Sequence, residues 1–300
     1  MVDDALCGEN PTPDGHLVDT ASMSPRMRNR RPKTEPAPAA TTAKPQVTGR
    51  VATQTVEPAT PRRRLSWREL GPVLLVRAAH PRQALLTAVG VTVVAALAGR
   101  TTRELGLVFL TVLVGQAVIG WHNDLVDRTR DQANEAPGKP LAAGTLDPGT
   151  VWFALACAVL LVVPLALSNG VTAGSAYLLA MAVGLMGNVS FRRGLLSWVT
   201  WAASYALYPA FLSYGGWGGD YLGEAPEITI TVLAGLLGVC VHILRALPGL
   251  VADNREGQRH LPLRIALRTG APRLLWITIA LTVLVVAGLA FEGTRVGLTQ

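Results

Sequence analysis

The sequence predicts an all-α protein, a polytopic bundle of transmembrane helices. Hydrophobic residues make up 50% of its 300 residues and charged residues only 16%, whereas soluble proteins carry about 25% charged residues. The apolar residues are concentrated in long runs after residue 70. Because backbone groups in lipid must find hydrogen-bond partners within the chain, such runs are expected to be helical.

About seven apolar runs follow one another, and each approaches the roughly 17–25 residues that a helix needs to cross a bilayer. Their approximate ranges are 82–98, 105–122, 150–168, 171–190, 196–213, 228–248 and 273–291. The second run leads directly into an acidic stretch, NDLVDRTRD.

The chain divides into two regions by composition. Residues 1–66 are rich in Pro, Thr, Ala, Lys and Arg, and we expect a disordered tail because they hold too little apolar surface to offset the entropy of ordering. Residues 67–300 form the predicted membrane domain. The end of the tail, PRRRLSWR, suits either an anionic membrane surface or a solvated linker. The first residues lack the basic start and apolar core of a signal peptide.

The net charge of +7 is better explained by membrane orientation than by nucleic acid, since Arg clusters flank the apolar runs. We therefore expect contacts with membrane lipids and none with nucleic acid. A cytoplasmic tail places three polar connections, 123–149, 191–195 and 249–272, on the cytoplasmic side. The predicted location is the cell membrane, with several passes and cytoplasmic active-site loops. The three cysteines show no CxxC spacing that would indicate disulfides or zinc.

The acidic stretch places four polar residues at offsets of three and four, which brings their side chains onto one face of a helix. They are Asn123, Asp124, Asp127 and Asp131. An oxygen-only cluster suits a hard cation, and Mg²⁺ is usually shared between carboxylates and a substrate phosphate. The alternative is a solvated helix end on which Arg128 and Arg130 pair with the acids.

NDLVDRTRD fits NDxxDxxxD, the first signature of the UbiA-type intramembrane prenyltransferases, and GKPLAAGTL resembles the segment that follows it. Three further segments are similar to regions of that family: VRAAHPRQALL, GNVSFRRGLLSW and GVCVHILRALPGLVADNREGQRHLPLRIAL. The resemblance covers about residues 70–291. It implies the UbiA-like fold, Mg²⁺ as cofactor and an allylic diphosphate as isoprenoid donor.

The resemblance also implies roles for particular residues. The expected catalytic residues are Asn123, Asp124, Asp127, Asp131 and Asp253. The expected metal ligands are Asp124, Asp127 and Asp131 for one ion, with Asp253 and Glu256 for a second. The expected diphosphate-binding residues are Lys139, Arg193, Arg77, Arg245 and Asn188. Lipid headgroup contact or a topology-setting charge is the alternative for Lys139, Arg193 and Arg77. Arg245, inside an apolar run, pairs with diphosphate or with an aspartate.

The chain departs from the family pattern in its second motif, DxxxD. Alignment of LPGLVADNREG places Gly249 at the first aspartate and Asp253 at the second. Glu256, one helical turn later, is a candidate substitute. Gly187 stands where the family often has Tyr. The family usually has nine membrane helices, whereas about seven runs are visible in this chain.

Aromatic side chains in the later runs have two interpretations. Trp198, Trp201, Tyr205 and Tyr208 can face an allylic cation, or they can anchor helices at the membrane interface. His242 is either catalytic or a hydrogen-bonded histidine of the bundle.

The leading functional hypothesis is an Mg²⁺-dependent prenyltransferase acting on an unidentified acceptor: a phenol, a quinone precursor or another small nucleophile. A UbiA-type terpene cyclase is the first alternative, because the same ionisation can end in internal capture. A non-catalytic membrane protein that binds isoprenoid diphosphate is the second. A transporter is disfavoured because the charges cluster at one membrane face rather than at the midplane.

Overall fold

The computed structural model of the chain describes residues 70–136, 138–215 and 223–295, so the predicted tail, 1–66, lies outside the described residues. The described residues form helices and no strands, which confirms the all-α class. The helices are α1 Gly71–Ala78, α2 Pro81–Leu97, α3 Thr102–Ala133, α4 Pro148–Leu167, α5 Val171–Val189, α6 Ser197–Ala206, α7 Tyr208–Ser213, α8 Ile228–Ala246, α9 Leu250–Arg255, α10 Leu261–Thr269 and α11 Ala271–Arg295. A 3-10 turn, Leu247–Gly249, joins α8 to α9.

Five helical segments of the described chain are long and apolar enough to cross a membrane. They are α3, α4, α5, α8 with its continuation through α9, and α11. Helix α2 is also apolar, but its 17 residues stand at the lower limit for a span. The chain is therefore a membrane protein, and each predicted apolar run is helical.

The predicted run 196–213 is not one continuous helix. It is divided into α6, of 10 residues, and α7, of 6 residues, with Leu207 between them. Pro209 explains the break, because proline has no N–H to bond to the carbonyl four residues earlier and its ring collides with that carbonyl. Neither piece is long enough to span a bilayer.

The bundle packs successive helices against one another, from α2 on α3 to α5 on α6, and then α6 and α11 on α8. Its core includes Val112, Val162, Tyr177 and Phe211, all at most 1% exposed. Two glycines allow backbones to approach closely: Gly174 lies against the carbonyl of Ala166, and Gly238 lies against that of Trp201. Small residues commonly serve this purpose at helix contacts in membranes.

Helix α3 carries the acidic stretch as a regular helix. It runs for 32 residues and continues past its apolar part without a break. Two contacts attach the corner between α1 and α2 to this helix. The Trp121 indole donates to the Leu75 carbonyl at 2.9 Å, and Gly120 lies against the carbonyl of Ala79. His80 is part of this corner and is thereby held beside the acidic residues.

The three polar connections of the predicted cytoplasmic side meet at one end of the bundle. The Arg259 N–H donates to the Arg193 carbonyl at 3.2 Å, which joins the third connection to the second. Arg192 and Arg130 contact acids of other segments at the same end. At the other end, Arg100 donates to the Leu212 carbonyl at 2.6 Å. The charged residues at the first end form the candidate site.

Candidate active site

The acidic face of α3 is buried. Asp124 is 2% exposed, Asp127 6% and Asp131 8%. The Asn123 amide donates to Asp127 Oδ2 at 3.2 Å, across one helical turn. The four polar residues therefore share one helix face, which points into the protein rather than into solvent.

Basic side chains from three other segments contact this face. Lys139 Nζ lies 2.7 Å from Asp131 Oδ2 and 3.1 Å from Asp124 Oδ1. His80 Nε2 lies 2.8 Å from the same Asp124 oxygen. Arg192, in the connection between α5 and α6, pairs with Asp127. Two fixed positive charges, those of Lys139 and Arg192, therefore oppose the three carboxylates within the protein.

One buried carboxylate oxygen of this face has neither a hydrogen bond nor an ion pair within the described residues. Asp124 Oδ2 is buried and has no hydrogen-bond partner within the described part of the chain. A buried anionic oxygen without a partner is costly, and a hard cation with oxygen ligands would satisfy it. Among the described residues, no three His, Cys, Asp or Glu side chains converge as a ready-made metal site. The donor chemistry fits Mg²⁺, provided that it displaces some of the cation contacts.

A second acidic cluster lies against α3 from the side of α9. The Arg130 guanidinium pairs with Asp253 Oδ1 and donates through Nε to both oxygens of Glu256, at 3.0 and 2.7 Å. His260 Nδ1 accepts from the Leu263 N–H at 3.3 Å, so its Nε2 carries the proton and donates to Asp253 Oδ2 at 2.9 Å. The cluster is thus a closed network around Arg130.

Two side chains of the polar connections, Glu256 and Arg192, have pKa values shifted by charge and burial. Partial burial acts to raise the pKa of Glu256, but hydrogen bonds from Arg130, Asn134 and Gln258 outweigh it and lower the pKa to about 2. Burial, followed by repulsion from Arg193, lowers the pKa of Arg192. Glu256 is therefore held ionised as a partner for Arg130.

Position 249 belongs to the second cluster. A Cβ added to Gly249 would lie 3.3 Å from Asp253 Oδ2. A side chain at 249 would accordingly enter the space beside Asp253, in keeping with the alignment that places the missing aspartate there. The structure also accounts for Gly187, where an added Cβ would stand 2.7 Å from the Thr200 hydroxyl.

The predicted diphosphate-binding residues do not all come together. Lys139 lies directly on the acidic face. Arg193 is in the connection that meets this face, but the contact with Asp127 is made by its neighbour Arg192. Arg77 is exposed on α1. Within the described residues, neither Arg193 nor Arg77 has an ion pair.

A pocket adjoins the acidic face and holds about 660 Å³ of empty space, part of it open to the outside. His80, Asn123, Asn188 and Arg245 supply polar groups to its lining. Asn188 also donates to the Ile119 carbonyl at 3.4 Å. Since His80 and Asn123 contact the acidic face as well, pocket and acids form one continuous site.

Aromatic side chains line the rest of the pocket. Trp201, Tyr205 and Tyr208 belong to it. Trp198, for which the same two interpretations were given, is outside its lining and 37% exposed. The Arg245 guanidinium lies 5.1 Å from the centre of the Trp201 ring. His242 is hydrogen-bonded to Ser197 at 3.0 Å and stacks on Trp201, as expected of a hydrogen-bonded histidine of the bundle.

Four residues of the site have no functional role among the sequence-based predictions: His80, Arg130, Arg192 and His260. Arg130 was expected at most to pair with acids of its own helix, but it pairs across to α9. FRRG contains two adjacent arginines outside any helix, so its sequence did not show which one faces the acids. His80 directly precedes a proline, and His260 directly precedes a helix. Neither local sequence has a pattern that marks a functional histidine.

Fold and site together define an α-helical membrane protein with a buried acidic face beside an aromatic pocket. The sequence model of the UbiA prenyltransferase family matches residues 84–298. The chain belongs to the UbiA prenyltransferase family and is a prenyltransferase by that membership. No curated protein gave a significant match.

Solved structures of a UbiA homolog from Archaeoglobus fulgidus are similar to this chain. The structure bound to GPP and Mg²⁺ is 20% identical, with a TM-score of 0.55 over 73% of this chain and 77% of the homolog. The structure bound to DMAPP and Mg²⁺ is 20% identical, with a TM-score of 0.55 over 72% and 76%. A further structure of the homolog has a TM-score of 0.56 at 20% identity, over 75% and 80%. These similarities confirm the UbiA-like fold.

Proposed function

We propose that the chain is an Mg²⁺-dependent membrane prenyltransferase that transfers an isoprenoid chain from an allylic diphosphate to a small acceptor. The observation that carries this proposal is the continuity of the buried acidic face with the aromatic pocket through His80 and Asn123. A polar diphosphate and an apolar isoprenoid need two such environments side by side. The diphosphate-bound and Mg²⁺-bound forms of the archaeal homolog support it.

The proposed Mg²⁺ ligands are Asp124, Asp127 and Asp131, because Asp124 Oδ2 is buried without a partner and the other two share its helix face. When bound, the ion would supply Lewis-acid neutralisation of charge on the departing diphosphate. Asn123 holds Asp127 in place through its 3.2 Å hydrogen bond. Asp253 of the second cluster completes the proposed catalytic set.

Lys139 and Arg192 are placed to exchange partners. Both pair with aspartates of the α3 face. With a cation held by those aspartates, both side chains would be free to donate to the diphosphate, where preorganised positive charge stabilises a leaving group strongly. Arg193 adjoins Arg192 in the same connection. Arg245 and Asn188 reach the donor from the pocket lining.

The pocket receives the reacting end of the isoprenoid. The bond between its first carbon and oxygen breaks, and the electron pair leaves with the diphosphate. Trp201, Tyr205 and Tyr208 present π faces that stabilise an allylic cation, and these aromatic rings shield it from water. The acceptor then bonds to the first carbon and loses a proton.

We propose a phenol, a quinone precursor or another small nucleophile as acceptor. The proposed location is the cell membrane, with the tail and the acidic face on the cytoplasmic side, as the positive-inside rule predicts. Membrane lipids, the allylic diphosphate and the acceptor are the proposed partners, and nucleic acid is not among them.

The test uses the purified full chain in detergent, Mg²⁺ and a panel of labelled allylic diphosphates, with and without phenolic acceptors. Diphosphate release and products are followed by mass spectrometry. Asp127→Ala should reduce Mg²⁺-dependent release by at least about a hundredfold. Glu292→Gln, which removes an acid paired with Arg295 on α11, is the matched control and should keep wild-type turnover.

The outcomes separate the alternatives. Release that requires an acceptor and yields a prenylated product supports the proposal. Release without acceptor that yields a cyclic hydrocarbon would assign the chain as a terpene cyclase. Binding of the diphosphate without Mg²⁺-dependent release at any chain length would leave only the non-catalytic alternative.

A further inference from the structure

The two acidic clusters differ in whether all of their carboxylate oxygens have partners within the protein. On the α3 face, Asp124 Oδ2 is buried and has no partner within the described residues. In the second cluster, all four carboxylate oxygens of Asp253 and Glu256 accept hydrogen bonds or ion pairs from protein donors. Protein donors therefore compete with a metal ion for every carboxylate oxygen of the second cluster, whereas the first cluster keeps one oxygen, Asp124 Oδ2, for which no described residue competes.

Arg130 is the cation of the second cluster. Its guanidinium forms ion pairs with Asp253 and Glu256 simultaneously. The planar guanidinium has several N–H donors and can therefore bind two carboxylates. Asn134 and Gln258 each donate to Glu256 at 2.7 Å. The Arg130 side chain is 25% exposed, and it comes from α3, one residue before Asp131.

The second cluster is also short of negative charge. Gly249 lies against Asp253 Oδ2 but brings no carboxylate. The second cluster has two carboxylates where the α3 face has three, and a divalent ion is best held by several anionic oxygens. The missing aspartate and the bridging arginine both reduce the attraction for a second ion.

We propose that Arg130 takes the place of a second divalent ion, so that this chain holds one Mg²⁺, at the α3 face, and uses the guanidinium as the permanent cation at the α9 cluster. This inference rests on the proposed function and refines it. Arg130 acts as a positioning residue: it keeps Asp253 and α9 in register with α3.

The test counts bound ions rather than turnover. The full chain in detergent, saturated with an unreactive thiolo analogue of an allylic diphosphate, is titrated with Mn²⁺ while free Mn²⁺ is followed by electron paramagnetic resonance. Wild type should bind about one tight Mn²⁺ per chain, and Arg130→Gln about two, since the freed carboxylates regain metal affinity. Arg130→Lys keeps a positive charge beside the two acids and should remain at about one. Arg128→Gln removes the same charge from an exposed position on the same helix and should also remain at about one.

Two tight ions in wild type would overturn the inference, and so would a stoichiometry of one in an Arg130→Gln protein that keeps its elution volume and thermal transition. If Arg130→Gln does not fold, the wild-type count still decides whether the chain holds one tight ion or two, and a second tight ion overturns the inference. Absence of tight Mn²⁺ in every variant would instead remove the metal from the proposed function, so the two failures are distinguishable.

Discussion

Replacement of Lys139 by Met should affect metal affinity and turnover in opposite directions. The Lys139 ammonium touches one oxygen of Asp124 and one of Asp131, at 3.1 and 2.7 Å. Methionine keeps a chain of similar length but removes the charge that separates the two carboxylates. The aspartates then repel each other, and a divalent cation relieves that repulsion without competing with an ammonium group.

The size of the effect follows from the geometry. Both oxygens contact one nitrogen, so they lie within about 6 Å of each other, where two unit charges repel by about 3 kcal/mol at an effective dielectric constant of about 20. Lys139 is 23% exposed, and solvent at its side chain screens part of this energy. Half of the repulsion corresponds to about a tenfold gain in affinity for Mn²⁺ or Mg²⁺. Turnover should fall by about a hundredfold, because one preorganised donor to the leaving group is lost.

The assay combines a Mn²⁺ titration with the diphosphate-release measurement on the same detergent preparation. Arg264→Met, which removes an exposed cation of α10, is the matched control and should change neither quantity. An unchanged or lower metal affinity in folded Lys139→Met would refute the placement of the ion between these aspartates. Full turnover would refute the role of Lys139 at the diphosphate.

Two further predictions concern the second cluster. Gly249→Asp places a carboxylate beside Asp253 and should keep or raise turnover in the release assay; a folded variant with strongly reduced turnover would contradict the alignment of the second motif. Glu256 has its pKa lowered to about 2 from an ordinary value of 4.5, so its contribution to stability is complete above pH 4.5 and is lost as the pH falls towards 2. Glu256→Gln should therefore flatten the decline of the melting temperature across that interval. An acid profile identical to that of wild type would show that Arg130 does not stabilise the ionised form.

Periodicity and composition were sufficient to predict the helical bundle and the acidic face. The spacing of Asp124, Asp127 and Asp131 needs nothing beyond the helical repeat to align them. The break in the run 196–213 was not predicted, although Pro209 carries its cause. The prediction of one helix relied on the apolar content of the run, whereas a single proline, which lacks an N–H, is enough to interrupt a helix.

The sequence alone therefore determined which segments are apolar helices and where the carboxylates lie along α3, because both properties depend on residues within a few turns of each other. Tertiary structure alone decided which basic side chains meet which acids: His80 with Asp124, Arg192 with Asp127, and Arg130 with Asp253. These partners come from distant parts of the chain, and long cationic side chains can turn towards several acids. How the helices pack decides which acid each basic side chain reaches. A local sequence pattern does not predict this packing.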